Sequence, residues 1–273
     1  MSTKGALIHA FGGQTFDYYL IADNCARLIT KFLGLPVTLV TDRHPTNRHL
    51  YDQVILEASN ANYTRSLRSG SSAGEQTIQY IYKNDTRSQS LELSPYDVTL
   101  LLDSDYLILN SDLQKYMELG RDFLCPWFAY DVTNQHGYEG FRYIKNTIPQ
   151  AWATTVIFNK SPTSLAIFNY WQLIQQNYEY YKALLGVGEH FRNDYALSLA
   201  AHTLNGCQPM TEKLPQMMML PGHSYIEKIN PDRTVIINCN DKIIKLSKTN
   251  LHVMNKLCLQ STNITQDIHD ITS

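Results

Sequence analysis

The sequence predicts a single α/β domain built on a mixed, mostly parallel sheet. Three observations predict it. A strand, a helix and a second strand fill residues 5–41. Further apolar, β-prone runs follow at 97–102, 122–127 and 152–158, with helical periodicities between them. No charge block, internal repeat or low-complexity linker divides the 273 residues. A helix crossover between two strands implies parallel pairing. One domain of this size buries a sizeable core without staples.

Each element has its own warrant. Residues 5–11 (GALIHAF) are a short apolar run ended by Gly12-Gly13, a buried strand. Residues 16–32 carry apolar positions at helical spacing and stop at Gly34 and Pro36. Residues 36–41 (PVTLVT) form the second strand. Residues 43–73 are polar and hold one strand, 53–56. Residues 75–82 read as a short helix. Residues 97–102 (DVTLLL) are almost wholly apolar, so they form a central strand. Ser111 caps a helix over 111–119. Ser161 caps a long helix to about residue 181, and 191–204 form another. Short strands are expected at 234–238, 242–246 and 251–254. The last ~12 residues are polar and expected to fray. Residues 131–150 form a long polar stretch without a period, as lids and binding loops do.

Composition excludes several classes. Charged residues are 18% of the chain, against about a quarter in a typical soluble domain. The 18 tyrosines fill part of that gap and argue against disorder. A net charge of −2 argues against bulk attraction to nucleic acid, leaving room for a local basic face. The five cysteines show no zinc spacing and read as reduced, which fits a cytoplasmic chain. The apolar run at the N-terminus is only about six residues. No signal peptide, membrane span or membrane partner is therefore expected.

The chemistry concentrates in Asp103-Ser104-Asp105, at the end of the strand run DVTLLL. Ligands bind at the carboxyl ends of strands in open α/β sheets. Two buried like charges need a partner. Mn²⁺ or Mg²⁺ would neutralise them, and phosphate oxygens of a nucleotide would complete the shell. The plainer alternative is a solvated acidic turn. Arg87, ten residues upstream of the strand, is placed to reach a nucleotide. Asp194 lies early in a helix, where a carboxylate is favoured in any case. Trp127, Asp131 and Trp152 flank the long polar stretch, and the two tryptophans are candidates for stacking on a sugar or base. His9 reads as a hydrogen-bonded core histidine.

Together, the strand–helix–strand start and TLLLDSDYLI near residue 100 resemble the glycosyltransferase-A fold. The resemblance spans about residues 5–256 and implies a nucleotide-sugar-dependent transferase, with a UDP-sugar as donor. It implies that Asp103 and Asp105, with Ser104 between them, hold the metal and the diphosphate. Ala10, Phe11 and Gly12 lie where base and ribose dock, and Asp42 is placed to bind either. Asp194 stands at the second acidic site. It is the general base of an inverting enzyme or a sugar-orienting residue of a retaining one. His252 resembles a late metal ligand, with His223 as its competitor, and Lys256 a diphosphate-binding lysine.

The segments SPYDVTLLLDSDY, VIFNKS and FRNDYALSLAAHTLNG are also similar to glycosyltransferases of large tailed phages. That similarity implies an acceptor, a hydroxymethylated pyrimidine in double-stranded DNA. Arg43, Arg48, Arg65 and Arg68 outnumber Asp52 and Glu57 in 43–68, which suits phosphate contact. A glycan, lipid or protein acceptor is the alternative. Two other classes stay open, a metal-dependent phosphohydrolase and a nucleotide-sugar-binding module without turnover.

Overall fold

The computed structural model describes residues 2–59, 63–71, 74–83, 85–133, 148–186, 190–208, 210 and 213–273. Strand β1 (Lys4–Ala10) leads through helix α1 (Tyr18–Leu33) to β2 (Val37–Thr41). Asp17 caps α1 by accepting from the N–H of Leu20. Gly34 ends it at φ +60°, a conformation that glycine adopts without strain. β3 (Gln53–Leu56), β4 (Tyr63–Ser71) and β5 (Gly74–Tyr82) follow. The short α2 (Ser90–Leu93) precedes β6 (Val98–Asp103) and β7 (Tyr106–Leu107). Next come α3 (Asp112–Met117), β8 (Phe123–Leu124), β9 (Ala129–Asp131) and β10 (Thr155–Asn159). Helices α4 (Pro162–Gln176), α5 (Tyr178–Leu185) and α6 (Asn193–Leu204) follow. The C-terminal part holds β11 (Met217–Leu220), β12 (Tyr225–Ile229), β13 (Thr234–Cys239), β14 (Lys242–Ser247) and β15 (Leu251–Val253). It closes with α7 (Lys256–Leu259) and α8 (Thr262–Thr272).

The central sheet runs β3-β2-β1-β6-β10-β8. Its β3–β2, β2–β1 and β1–β6 pairs are parallel, while β10 runs against both its neighbours. The mixed, mainly parallel sheet is the one the sequence predicts. Its strands are apolar on both faces because both are covered. Ala6, Ile8, Leu100 and Leu102 face α1, with Ile21, Cys25 and Ile29. Leu7, Leu101, Val156 and Phe158 face α4 and α6, with Phe168, Trp171 and Leu197. A second sheet, β7-β15-β11-β9, and an antiparallel sheet, β12-β13-β14, complete the α1 side. No helix among the described residues is long and apolar enough to cross a membrane.

Three expectations are corrected. Residues 75–82 are not a helix but β5, paired antiparallel with β4 over Tyr63↔Tyr82 to Ser71↔Gly74. The β-branched Thr77, Ile78 and Ile81 fit a strand better than a helix. The final residues are helix α8, not a frayed tail. Ser261 caps it, and Ile264 and Ile268 are buried against α1. The long helix over 161–181 divides at Asn177 into α4 and α5. Most of the long polar stretch, residues 134–147, lies outside the described residues.

Candidate functional site

The parallel register sets β1 beside β6, with His9 opposite Asp103, so both strands deliver their carboxyl ends to one place. The chain reverses through Ser104 and Asp105 into β7. There β15 pairs antiparallel, with His252 opposite Tyr106. The N–H of Val253 also donates to the Asp105 carbonyl at 2.9 Å. This register carries a late histidine to the acidic turn. Ligand atoms of Asp103, Asp105 and His252 lie within 4.8 Å of one another. His252 Nε2 stands 3.5 Å from Asp105 Oδ1. Asn255 caps α7 immediately afterwards and starts it at Lys256, whose Nζ lies 2.5 Å from Asp105 Oδ2.

The electrostatics follow from burial and pairing. Burial pushes the Asp105 carboxyl up, but Lys256 and His252 outweigh it and hold it well below the usual range. Burial also works against the Lys256 ammonium, and Asp105 overturns that effect and raises it. Burial pushes Asp103 up, Arg87 pulls it down, and the charge of Asp105 adds to the push. Arg87 itself is 1% exposed. It donates to the carbonyls of Leu102, Ala153 and Thr154 and meets Asp103 Oδ1 at 3.0 Å. It therefore braces Asp103 from inside the protein, where the sequence placed it against a nucleotide. His9 contacts Thr86 and Ser90 at 3.0 Å each, the core histidine expected. Burial and then Arg87 hold it well below its ordinary value.

A trough runs outward from these groups. Its inner end is lined by Phe11, Ser104, Asp105, His252, Lys256 and Tyr80. It continues past Gly12 to Lys83 on the β5 side and to Arg43 on the α1 side. A Cβ on Gly12 would meet the Tyr19 hydroxyl at 2.6 Å, so a larger residue there would displace that hydroxyl. Asp42 accepts from the Gly12 N–H at 3.0 Å and from Tyr19 Oη at 2.5 Å. Its carboxylate thus ties the first strand's loop to the end of β2. Burial raises Asp42, and the Tyr19 and Gly12 bonds outweigh it and lower it. Ala10 is buried in the core rather than on the trough. Asp194 accepts from the Ala153 N–H at 2.9 Å and pairs with Arg192 at 3.1 Å. Arg192, not Asp194, lines the inner end, although the Asp194 charge acts on Asp103.

Other expectations fall elsewhere. Trp127 and Trp152 are 1% and 5% exposed and pack in the core, so they offer no stacking face. Asp131 is fully buried and accepts from Thr133. Arg48 donates to the carbonyls of Tyr51 and Asp52, bracing its own loop. Arg43 stacks on the Tyr19 ring at 3.8 Å. The side chains of Arg65 and Arg68 lie outside what the structure describes. His223 is not in the converging set. Tyr18, Tyr80 and Lys83 were not anticipated. The last two come from β5 and the residue after it, a segment that reads as a helix in the sequence and was not connected to the site.

Two carboxylates and one imidazole suit a hard, oxygen-preferring cation such as Mn²⁺ or Mg²⁺. The nearby Cys25 adds no thiolate, because burial and then the Asp105 and Asp103 charges raise its thiol. His252 Nδ1 is buried and has no hydrogen-bond partner among the described residues, so Nε2 is the nitrogen turned to the carboxylates. The donor set fits a divalent ion.

No protein-family model matches the chain, and no curated protein sequence matches it. Among solved structures, it is similar to the glycosyltransferase GlyE of Streptococcus pneumoniae TIGR4, at 15% identity and a TM-score of 0.43. The apo form of GlyE gives 15% identity and a TM-score of 0.40. In both cases the overlap covers 78% of this chain and 45% of that one. The chain thus spans less than half the length of those structures.

Proposed function

We propose that this chain is a metal-dependent glycosyltransferase of the glycosyltransferase-A type, with a UDP-sugar as donor. The observation that carries the reading is the convergence of Asp103, Asp105, His252 and Lys256 at the head of one trough. In it Asp103, Asp105 and His252 hold Mn²⁺ or Mg²⁺. The ion, when bound, stabilises the departing diphosphate as a Lewis acid. Lys256 adds a cation at the same end, where charge develops on the leaving group. Phe11 and Gly12 form the floor beneath the nucleoside, with Asp42 fixing the Gly12 loop. Tyr18 and Tyr80 form walls beside it. The acceptor hydroxyl bonds to the anomeric carbon as the bond from that carbon to the diphosphate oxygen breaks. Asp194, held by the Ala153 N–H and standing behind Arg192, takes the acceptor's proton in an inverting reaction or orients the sugar in a retaining one once Arg192 turns aside.

A thermal-shift panel of UDP, GDP, ADP and CMP sugars with Mn²⁺ tests this. One donor class is expected to stabilise the protein, by about 2.7 kcal/mol at a hundred times its Kd, and only with metal present. No shift with any donor would overturn the reading.

For the acceptor we carry forward hydroxymethylated duplex DNA, supported by the phage resemblance and by Arg43 at the trough. Transfer of labelled sugar to hydroxymethylated and plain duplexes, beside a glycan panel, decides it. DNA binding should weaken steeply with salt, and Arg43→Ala should reduce the slope by about one. Salt-insensitive binding would remove DNA from consideration.

A further inference from the structure

Helix α4 is apolar on two sides. Its inner face, Ile167, Phe168, Trp171 and Ile174, is buried in the core beside α6. Its outer face carries Leu165, 48% exposed, and Leu173, 43% exposed, with the exposed Ala166, Asn169 and Gln176 around them. None of its 15 residues is charged. The following helix, α5, adds Tyr180 and Leu184, 62% and 58% exposed. Its two charges, Glu179 and Lys182, answer each other at 3.2 Å. A surface helix normally sets charged residues opposite its core face, and a helix apolar all round is a buried one. An exposed apolar patch rimmed by polar residues marks an interface. Among the described residues, those lining the trough include none from α4 or α5.

The order of residues on this face says what covers it. Leu165, Asn169 and Leu173 stand four apart, on one ridge about 12 Å long. Two chains that cross these ridges antiparallel, about a two-fold axis at Asn169, bring Leu165 of each against Leu173 of the other. Asn169 then faces its own copy. A primary amide has both a donor and an acceptor, so two of them pair through two hydrogen bonds. A two-fold interface needs such self-complementarity, because one patch must fit itself. The missing charge fits the same occupant. A polyanion or an acidic segment would find no cation on α4 to meet, while a second copy meets no like charge. We propose that the outer face of α4 joins two copies of this chain, antiparallel about Asn169.

Sedimentation velocity of the full chain tests it. The mass should rise from that of one chain toward that of two between about 1 and 100 µM. Asn169→Asp sets two carboxylates face to face on the axis and should weaken association about a hundredfold or more. Leu165→Glu and Leu173→Lys should each weaken it too. The double variant Leu165→Glu/Leu173→Lys should recover most of the loss, because the antiparallel register sets each new acid against a new base. Eight residues apart on one helix, the two do not meet within a chain. A wild-type chain that stays monomeric throughout overturns the proposal. If that monomer also floats with phosphatidylcholine vesicles, the face belongs to a lipid surface instead. A dimer untouched by the single variants, or not recovered by the double one, overturns the assignment of α4 and its register.

Discussion

His252 sits directly across the β7–β15 pairing from Tyr106, its ring within 13° of parallel to the tyrosine ring. That pairing sets Nε2 3.5 Å from Asp105 Oδ1. The geometry belongs to the backbone register, so the imidazole is aimed before any ligand is present. A register fixed by ladder bonds is harder to perturb than one side chain.

Asp105→Asn should separate function from fold. Mn²⁺-dependent hydrolysis or transfer of donor should fall by about a hundredfold or more, as when a transition-state charge stabiliser is lost. Lys256 would also be left buried without a counter-ion, which costs about 3–5 kcal/mol of stability. Urea unfolding with EDTA present measures the second effect. An unchanged midpoint would show that the Lys256–Asp105 pair contributes nothing.

His9 should give the fold an acid limit. Its native pKa is lowered by burial and Arg87, so the unfolded chain takes up the proton first. Its contribution is fully present above about pH 6.5, the unfolded value, and is lost as pH falls from there toward the depressed native value. In that window stability should fall by about 1.4 kcal/mol per pH unit from this residue alone. His9→Asn should flatten the slope between pH 6.5 and 5.5. Equal slopes in the two proteins would rule the residue out.

Gly12→Ala should weaken donor binding through Tyr19. The new methyl group would meet the Tyr19 hydroxyl at 2.6 Å, while the next ring atom stands at 3.5 Å. The displaced hydroxyl releases Asp42 and the loop it fixes. Calorimetry should show UDP affinity reduced about tenfold, or 1.4 kcal/mol. Tyr19→Phe alone should lower the affinity by a similar amount, because it takes the same hydroxyl from Asp42. An unchanged affinity in Tyr19→Phe would place the effect elsewhere.

Ile268→Ala tests the C-terminal helix. Ile268 is fully buried on α8 beneath α1. Truncating it should cost about 2–5 kcal/mol. A change near zero would return the segment to the frayed tail that its polar composition suggests.

The acidic pair and the βαβ start were legible because both depend on local signals. An apolar run ending in Asp103-Ser104-Asp105 marks a strand end wherever the rest of the chain goes. His252 was legible only as a residue type. Its place depends on β7, two residues long and too short to show a period. Lys83 and Tyr80 were hidden because residues 75–82 read as a helix, and only the β4–β5 pairing carries them to the trough. The spacing of Ile264, Ile268 and Ile271 was visible, but the polar residues between them masked α8. Arg87 was assigned to a ligand because sequence shows charge, not burial. Only the packed fold reveals that its acceptors are carbonyls.

The pairing of β7 with β15 also sets an order in time. Asp103 and Asp105 leave the ribosome long before His252 and Lys256 exist. Until β15 has been made and docked, the acidic turn lacks both His252 and Lys256. On the proposed reading a nascent chain has no complete centre, and ligand capture reports that the last strand has found its place.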